Sequence, residues 1–69
     1  MYTDFTLEEL EDMETLQEGY ADDLKLEEDG YRVWLSRVGI KDGMTYNNMV
    51  TVEELQNGSW VTIYEYEAL

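Results

Sequence analysis

The sequence predicts an α+β fold in which an acidic N-terminal helix packs on a small antiparallel sheet of three or four strands. Residues 1–29 hold twelve of the 17 acidic residues and one base, a net charge of −11, whereas residues 30–69 have a net charge of −2. Apolar residues recur at helical spacing in the first part and in β-branched and aromatic runs in the second. A chain of 69 residues buries about 60% of its surface. We therefore expect a single domain, 1–69, with a helical part at about 4–23 and a sheet part at about 24–68.

A capping box marks the expected start of the helix. The Thr6 hydroxyl and the Glu9 carboxylate can each satisfy a free backbone N–H there. At about 100° per residue, one face collects the apolar side chains of Leu10, Met13, Leu16, Tyr20 and Leu24. We expect this face to pack on the sheet. The helix should end near Gly19, or bend there and continue to about Asp23.

The rest of the chain alternates strand-like runs with turn signals. Residues 31–38 are rich in β-branched and aromatic side chains and follow Asp29-Gly30, and residues 24–27 could form a short strand paired with them. Residues 39–46 are expected to form a loop. Residues 49–55 and 60–66 flank Asn57-Gly58, the strongest short-range hairpin signal, because both central residues of such a turn need positive φ.

Counting outward from Asn57-Gly58 predicts the register of this hairpin. The expected pairs are Leu55 with Trp60, Glu53 with Thr62, Val52 with Ile63, Thr51 with Tyr64, and Met49 with Tyr66. One sheet face then carries Val50, Val52, Val61 and Ile63. The other, here called the aromatic face, carries Met49, Leu55, Trp60, Tyr64 and Tyr66. One short helix covers only one face, so the aromatic face is either covered by loops and the N-terminus or forms a dimer or partner surface.

The predicted helix also carries about one carboxylate per turn on the side opposite its apolar face. These residues are Asp4, Glu8, Glu11, Glu14, Glu18 and Asp22. Like charges at this spacing destabilise a helix by roughly 0.2–0.5 kcal/mol per pair, and residues 1–24 contain no Lys or Arg. The stripe is either a solvated face that confers solubility or a surface selected for binding.

Charge spacing favours a specific kind of binding. Twelve acids over residues 4–29 give about one charge per 3 Å if helical, close to the roughly 3.4 Å per phosphate along one DNA strand. A carboxylate also accepts bidentate bonds from Arg as a phosphate does. The predicted partner-binding residues are Asp4, Glu8, Glu11, Asp12, Glu14, Glu18, Asp22, Asp23, Glu27, Glu28 and Asp29.

Composition argues against most other functions. The chain has no His and no Cys, so it lacks an imidazole base, a thiol nucleophile and a thiolate metal site. Around Gly30, an EF-hand alignment puts Lys25 and Ser36 at ligand positions, which defeats a calcium site. We predict a non-enzyme with no catalytic residues, no metal and no cofactor.

Net charge and hydropathy limit the partners and the compartment. A charge of −13 opposes direct binding to nucleic acid or to an anionic membrane, so the partner should be basic, and the protein itself a monomer or a homodimer. No run of residues is long and apolar enough for a membrane span, and the N-terminus lacks the features of a signal peptide. We expect the protein to stay in the cytoplasm where it is made.

Several runs in the second half share a recognisable pattern, namely Tyr31–Gly39, Asp42-Gly43, Asn48 with Val50–Glu53, Asn57–Trp60 and Tyr64–Ala68. Over residues 31–68 this pattern resembles small proteins encoded by bacteriophages and prophages. The compact, cysteine-free and strongly acidic whole is similar to phage-encoded anti-CRISPR proteins and other DNA mimics. This resemblance implies an inhibitor that blocks target DNA binding by a CRISPR surveillance complex in an infected or lysogenic bacterium.

Two functions follow from the sequence. The first is a DNA mimic whose acidic helix occupies a basic nucleic-acid-binding surface of a host defence complex. The alternative is a non-catalytic interaction or accessory module that dimerises through the aromatic face.

Overall fold

The computed structural model describes residues 4–18 and 22–69, which form one short helix and one antiparallel sheet. The helix α1 spans Leu7–Asp12. The strands are β1 (Gln17–Glu18), β2 (Asp22–Glu28), β3 (Tyr31–Lys41), β4 (Met44–Gln56) and β5 (Ser59–Glu67). They lie in the order β1-β2-β3-β4-β5, with each strand antiparallel to the next. The predicted α+β class is confirmed, with four longer strands and a fifth of two residues.

The helix begins where predicted but is much shorter than predicted. The capping box is present: Glu9 N donates to Thr6 Oγ1 at 3.2 Å and Thr6 N donates to Glu9 Oε1 at 3.2 Å. Met13 is already extended, with ψ 142°, and Leu16 N donates to Leu24 O at 3.0 Å. The prediction of a helical part at 4–23 is therefore wrong beyond Asp12. Sheet pairing satisfies the backbone of residues 17–18 and 22–28, and a longer helix would have aligned more uncompensated carboxylates.

The apolar helical face is correspondingly reduced to its first members. Leu10 is fully buried and Met13 packs against the core, whereas Leu16 is 54% exposed. Leu24 is buried as part of β2, and the predicted helix end at Gly19 lies outside the described residues, as does Tyr20.

Two Xaa-Gly turns connect the three longest strands. Asn57 and Gly58 have φ of 51° and 81°, which confirms the predicted hairpin. Asp42 and Gly43 have φ of 53° and 76° and make a turn of the same kind. The prediction of a loop at residues 39–46 is therefore wrong, because β3 and β4 stay paired up to Lys41 and Met44.

A bulge in β5 changes the predicted register of the last hairpin. Leu55 pairs with Trp60 and Glu53 with Thr62, as predicted. Beyond that point Val52 pairs with Tyr64 rather than Ile63, so Ile63 is the extra residue. Every later pair is displaced by one: Thr51 faces Glu65, Val50 faces Tyr66 and Met49 faces Glu67.

The core lies between α1 and one face of the sheet. Its buried residues are Phe5, Leu10, Val33, Leu35, Val50, Val52 and Ala68. The bulge places Tyr64 and Tyr66 on this same face, and Tyr66 packs against the core. The opposite face carries no helix within the described part of the chain. We call it the open face.

Candidate interaction surfaces

The acidic residues around α1 form the first candidate surface, here called the helix cluster. It consists of Asp4, Glu8, Glu9, Glu11, Asp12 and Glu14, all of which are exposed. Burial of Leu10 sets the orientation of the helix, which turns its charged side chains to solvent. Two hydrogen bonds to the end of the chain hold the segment in place. Phe5 N donates to the Tyr66 hydroxyl at 2.6 Å and Leu7 N donates to Leu69 O at 3.1 Å.

The helix cluster is not the continuous line of charge that the sequence predicts. Glu8, Glu11 and Asp12 share one short helix, where residues three and four apart have Cβ atoms about 5–6 Å apart. Glu18 and Asp22 lie instead in β1 and β2, and their side chains are outside the described part of the structure. The prediction of one carboxylate per turn over residues 4–23 is wrong, because α1 ends at Asp12, Met13 is extended, and residues 17–18 and 22–28 lie in strands.

A second group of acids lies at the turn between β2 and β3. This turn cluster contains Glu27, Glu28 and Asp29, all exposed. Glu28 pairs with Tyr31, whereas Glu11 of the helix cluster reaches Arg37. Arg37 lies six positions along β3 from Tyr31, which at about 3.3 Å per residue is roughly 20 Å. The two acidic clusters are therefore separate patches rather than one row.

Asp23, another predicted partner-binding residue, is half-buried beside a buried lysine. Lys25 Nζ lies 3.7 Å from Asp23 Oδ2 and donates to Thr15 Oγ1 at 3.0 Å. Lys25 lies at an irregularity of β2 between Leu24 and Leu26. The ammonium ion fixes residues 15 and 23 together, so Asp23 has a structural role that the sequence did not indicate.

Few of the acids are neutralised within the molecule. Fifteen acidic residues have side chains that the structure describes; eleven of them are exposed and none is buried. These side chains make three ion pairs, namely Asp23 with Lys25, Glu53 with Arg32, and Glu11 with Arg37. The last pair is 3.8 Å long and exposed, so it contributes little. The charge surplus is therefore available to a partner at the surface.

The open face carries an ordered cluster around Arg32. The Glu53 carboxylate accepts from Arg32 Nε at 2.7 Å and from Trp34 Nε1 at 2.6 Å through the same oxygen. The Arg32 guanidinium lies 5.4 Å from the Trp34 ring centroid and 4.4 Å from that of Trp60, within range of cation–π attraction. The two tryptophans flank this cation on the open face, where the strand register places Arg32 opposite Glu53.

Two tyrosine–carboxylate contacts shift the pKa values of the groups that form them. A hydrogen bond from Tyr31 lowers the pKa of Glu54, aided by Gln56, and Glu54 in turn raises the pKa of Tyr31. A hydrogen bond to Asp4 raises the pKa of Tyr64, and that carboxylate also acts through its charge. The second contact links the helix cluster to β5.

The bulge divides the predicted aromatic face between the two sides of the sheet. Tyr64 and Tyr66 lie on the core face with ring centroids 5.2 Å apart, beside the N-terminal segment. Leu55 and Trp60 lie on the open face, and Met49 is buried. The structure does not bring these five residues into one surface, since hydrophobic alternation alone cannot reveal a bulge.

The described residues offer little that resembles an enclosed site. A shallow groove of about 250 Å³ is lined by Asp4, Phe5, Thr6, Tyr66, Glu67 and Leu69. No group of three or more His, Cys, Asp or Glu side chains within 4–18 and 22–69 is arranged to hold a metal ion. In the same ranges, α1 is far too short to span a bilayer, and no helix qualifies as a membrane span.

No known family model matches the chain, and no significant match was found among curated proteins or solved structures.

Proposed function

We propose that the protein is a non-catalytic, phage-encoded inhibitor that mimics DNA and occupies a basic nucleic-acid-binding surface of a host defence complex. A CRISPR surveillance complex, with its target-DNA site blocked, is the target we favour. The observation that supports this proposal is the exposure of eleven carboxylates on a chain of charge −13, with three ion pairs among the described side chains.

The arrangement of the acids refines how such mimicry would work. The helix cluster and the turn cluster each present several carboxylates within a few residues, and the body of the sheet separates them. Each cluster would replace a short run of phosphates, and the gap between them would span uncharged parts of the target. The negative electrostatic field of the whole protein would accelerate its association with the basic target, because basic grooves that attract DNA attract any polyanion.

A gel-shift assay tests the proposal directly. Purified CRISPR surveillance complexes of different types are incubated with labelled target DNA while the protein is titrated in. We expect loss of the shifted DNA with at least one complex. Direct binding of the protein to that complex, measured without DNA, should be weaker at about 200 mM than at about 50 mM salt. Direct binding that does not depend on salt would contradict mimicry, as would unchanged DNA binding by every complex tested.

Two variants of equal net charge separate the acidic surface from charge in general. Replacing Glu8, Glu11 and Glu14 with Gln, or Thr45, Asn47 and Ser59 with Lys, changes the net charge from −13 to −10. All six positions are exposed, so both variants should fold. The Gln variant should inhibit about tenfold less, since three exposed pairs at about 0.5 kcal/mol each sum to about 1.5 kcal/mol and about 1.4 kcal/mol corresponds to a tenfold change. The Lys variant should lose much less, and equal losses would assign the effect to net charge alone.

A further inference from the structure

The strand β5 forms an edge of the sheet that is unusual for so acidic a protein. Within the described residues β5 pairs with β4 and with no other strand. Residues 55–64, which include its first six positions, carry no charged side chain. Val61, Ile63 and Tyr64 are exposed there by 39%, 43% and 43%. Edge strands are usually protected by Lys, Pro, inward charges or a β-bulge. Residues 59–62 have no charge and no Pro, and the bulge at Ile63 lies beyond them.

The hydrogen-bond pattern shows which backbone groups face the free edge. Ala68 N donates to Asn48 O, and Leu55 N donates to Gly30 O on the other side of β4. Alternate β4 residues from Asn48 to Gln56 therefore bond to β5, and their partners include Ser59 and Val61. The backbone N–H and C=O groups of Trp60 and Thr62 consequently point away from the sheet.

We propose that β5 pairs antiparallel with β5 of a second copy around a two-fold axis at Val61, so that Trp60 of each copy lies opposite Thr62 of the other. This inference concerns self-association and does not rest on the proposed mimicry. The segment before the bulge complements itself under two-fold symmetry, because Trp60 and Thr62 of the two copies can exchange their outward donors and acceptors.

Charge favours a second copy as the occupant of this edge. Two chains of −13 can approach only where acids are sparse. The acids nearest the seam are Asp4, which contacts Tyr64, and Glu53 and Glu54, which face Thr62 and Val61 from β4. Glu53 is paired with Arg32, and residues 30–69 together have a net charge of only −2. The more acidic β2 lies three strand spacings from β5, about 14 Å, which exceeds the Debye length of about 8 Å at physiological salt. Antiparallel pairing about Val61 also sets the Glu65–Glu67 end of one strand against the uncharged residues 55–57 of the other copy. The opposite edge, β1, lies in the acidic part of the chain and would bring like charges together.

Sedimentation and light scattering test the dimer on the full chain. We expect a concentration-dependent mass that rises towards twice 8.2 kDa, with more dimer at about 500 mM than at about 50 mM salt because salt screens the repulsion between copies. Dimerisation should therefore strengthen with salt, whereas binding of the mimic to its basic target should weaken with salt. A constant monomer mass at the highest soluble concentration in high salt would overturn the proposal.

Substitutions locate the interface. Thr62→Pro removes an outward N–H, which an edge strand tolerates when that group faces solvent, and Ile63→Lys adds a charge to the seam. Both should reduce the dimer to monomer while the circular dichroism spectrum stays that of the folded chain. Val38→Lys is the matched control, because Val38 is an exposed apolar residue of β3 outside the seam. A dimer that Val38→Lys abolishes and Ile63→Lys leaves intact would overturn the assignment to β5.

Amide hydrogen exchange supplies a readout that does not depend on any variant. On dimerisation the amides of Trp60 and Thr62 should gain protection, whereas that of Val61 is protected in the monomer and should change little. Unchanged exchange at Trp60 and Thr62 in samples of double mass would place the interface elsewhere and overturn the proposal.

Discussion

The N-terminal acidic segment, residues 4–18, and the β3–β4–β5 meander are held by different kinds of interaction. The meander is specified locally, by turns at Asp42-Gly43 and Asn57-Gly58 between alternating strands. The acidic segment has a helix of six residues, fixed by Leu10 in the core and by bonds to Tyr66 and Leu69 at the far end of the chain. The charged surface on which the proposed function depends is therefore positioned by residues distant in sequence.

The largest expected effect comes from removing the apolar anchor of the acidic segment. Leu10→Ala should lower the free energy of unfolding by about 2–5 kcal/mol, because Leu10 is fully buried and its loss leaves a cavity under α1. Urea unfolding measures the change. Leu16→Ala is the matched control and should stay within about 0.5 kcal/mol, since Leu16 is largely exposed. Similar losses for the two variants would mean that Leu10 is not the anchor.

The next largest effect tests the meander at Gly39, a position that the sequence predicts to lie in a loop. Gly39 is buried in β3, and a β-carbon there would lie 2.8 Å from Met49 Cβ. Gly39→Ala should therefore cost about 1–3 kcal/mol through overpacking, measured as a lower urea midpoint. The neighbouring Val38→Ala, at an exposed site, should cost far less. A neutral Gly39→Ala would show that Met49 moves aside freely.

A smaller effect tests the local contribution to the acidic segment. Thr6→Ala removes the hydroxyl that accepts from Glu9 N and should destabilise the protein by about 1 kcal/mol. Thermal unfolding followed by circular dichroism measures the loss. Thr6→Ser keeps the acceptor and should behave nearly as the parent protein does. If serine fails to rescue, the methyl group rather than the cap is responsible.

The smallest effect concerns the pH dependence of the sheet end. The Tyr31 hydrogen bond lowers the pKa of Glu54. This hydrogen bond stabilises the folded protein fully above the unfolded-state pKa of Glu54, which is about 4.3. The stabilisation is lost as the pH falls through the lower pKa of Glu54 in the folded protein. Glu54→Gln should therefore flatten the loss of stability between about pH 5 and pH 3 in acid titrations of unfolding.

Tyr31→Phe provides the check on this assignment, because it removes the donor and keeps the ring. It should flatten the acid titration to a similar extent, and the double variant should add little to either single one. Additive effects would separate the two groups and contradict the assigned hydrogen bond.

Prediction from sequence succeeded where neighbouring residues decide the structure. The capping box of Thr6 and Glu9 and the turn at Asn57-Gly58 follow from side-chain chemistry and backbone φ within four residues. Prediction failed where two structures suit the same pattern. Leu10 and Leu24 fit a single helical face, yet Leu24 lies in a strand, because pairing of β2 with β3 satisfies the backbone of its whole segment.

The sequence alone determined that this small domain is strongly acidic, that it lacks His and Cys, and that it combines a capped helix with a β-hairpin at Asn57-Gly58. The tertiary structure decided where the charge lies. Pairing of residues 17–18 and 22–28 in the sheet leaves α1 to end at Asp12 and divides the acids into the helix cluster and the turn cluster. The bulge at Ile63 turned Tyr64 and Tyr66 towards the core, because one extra residue reverses the side of every side chain that follows it.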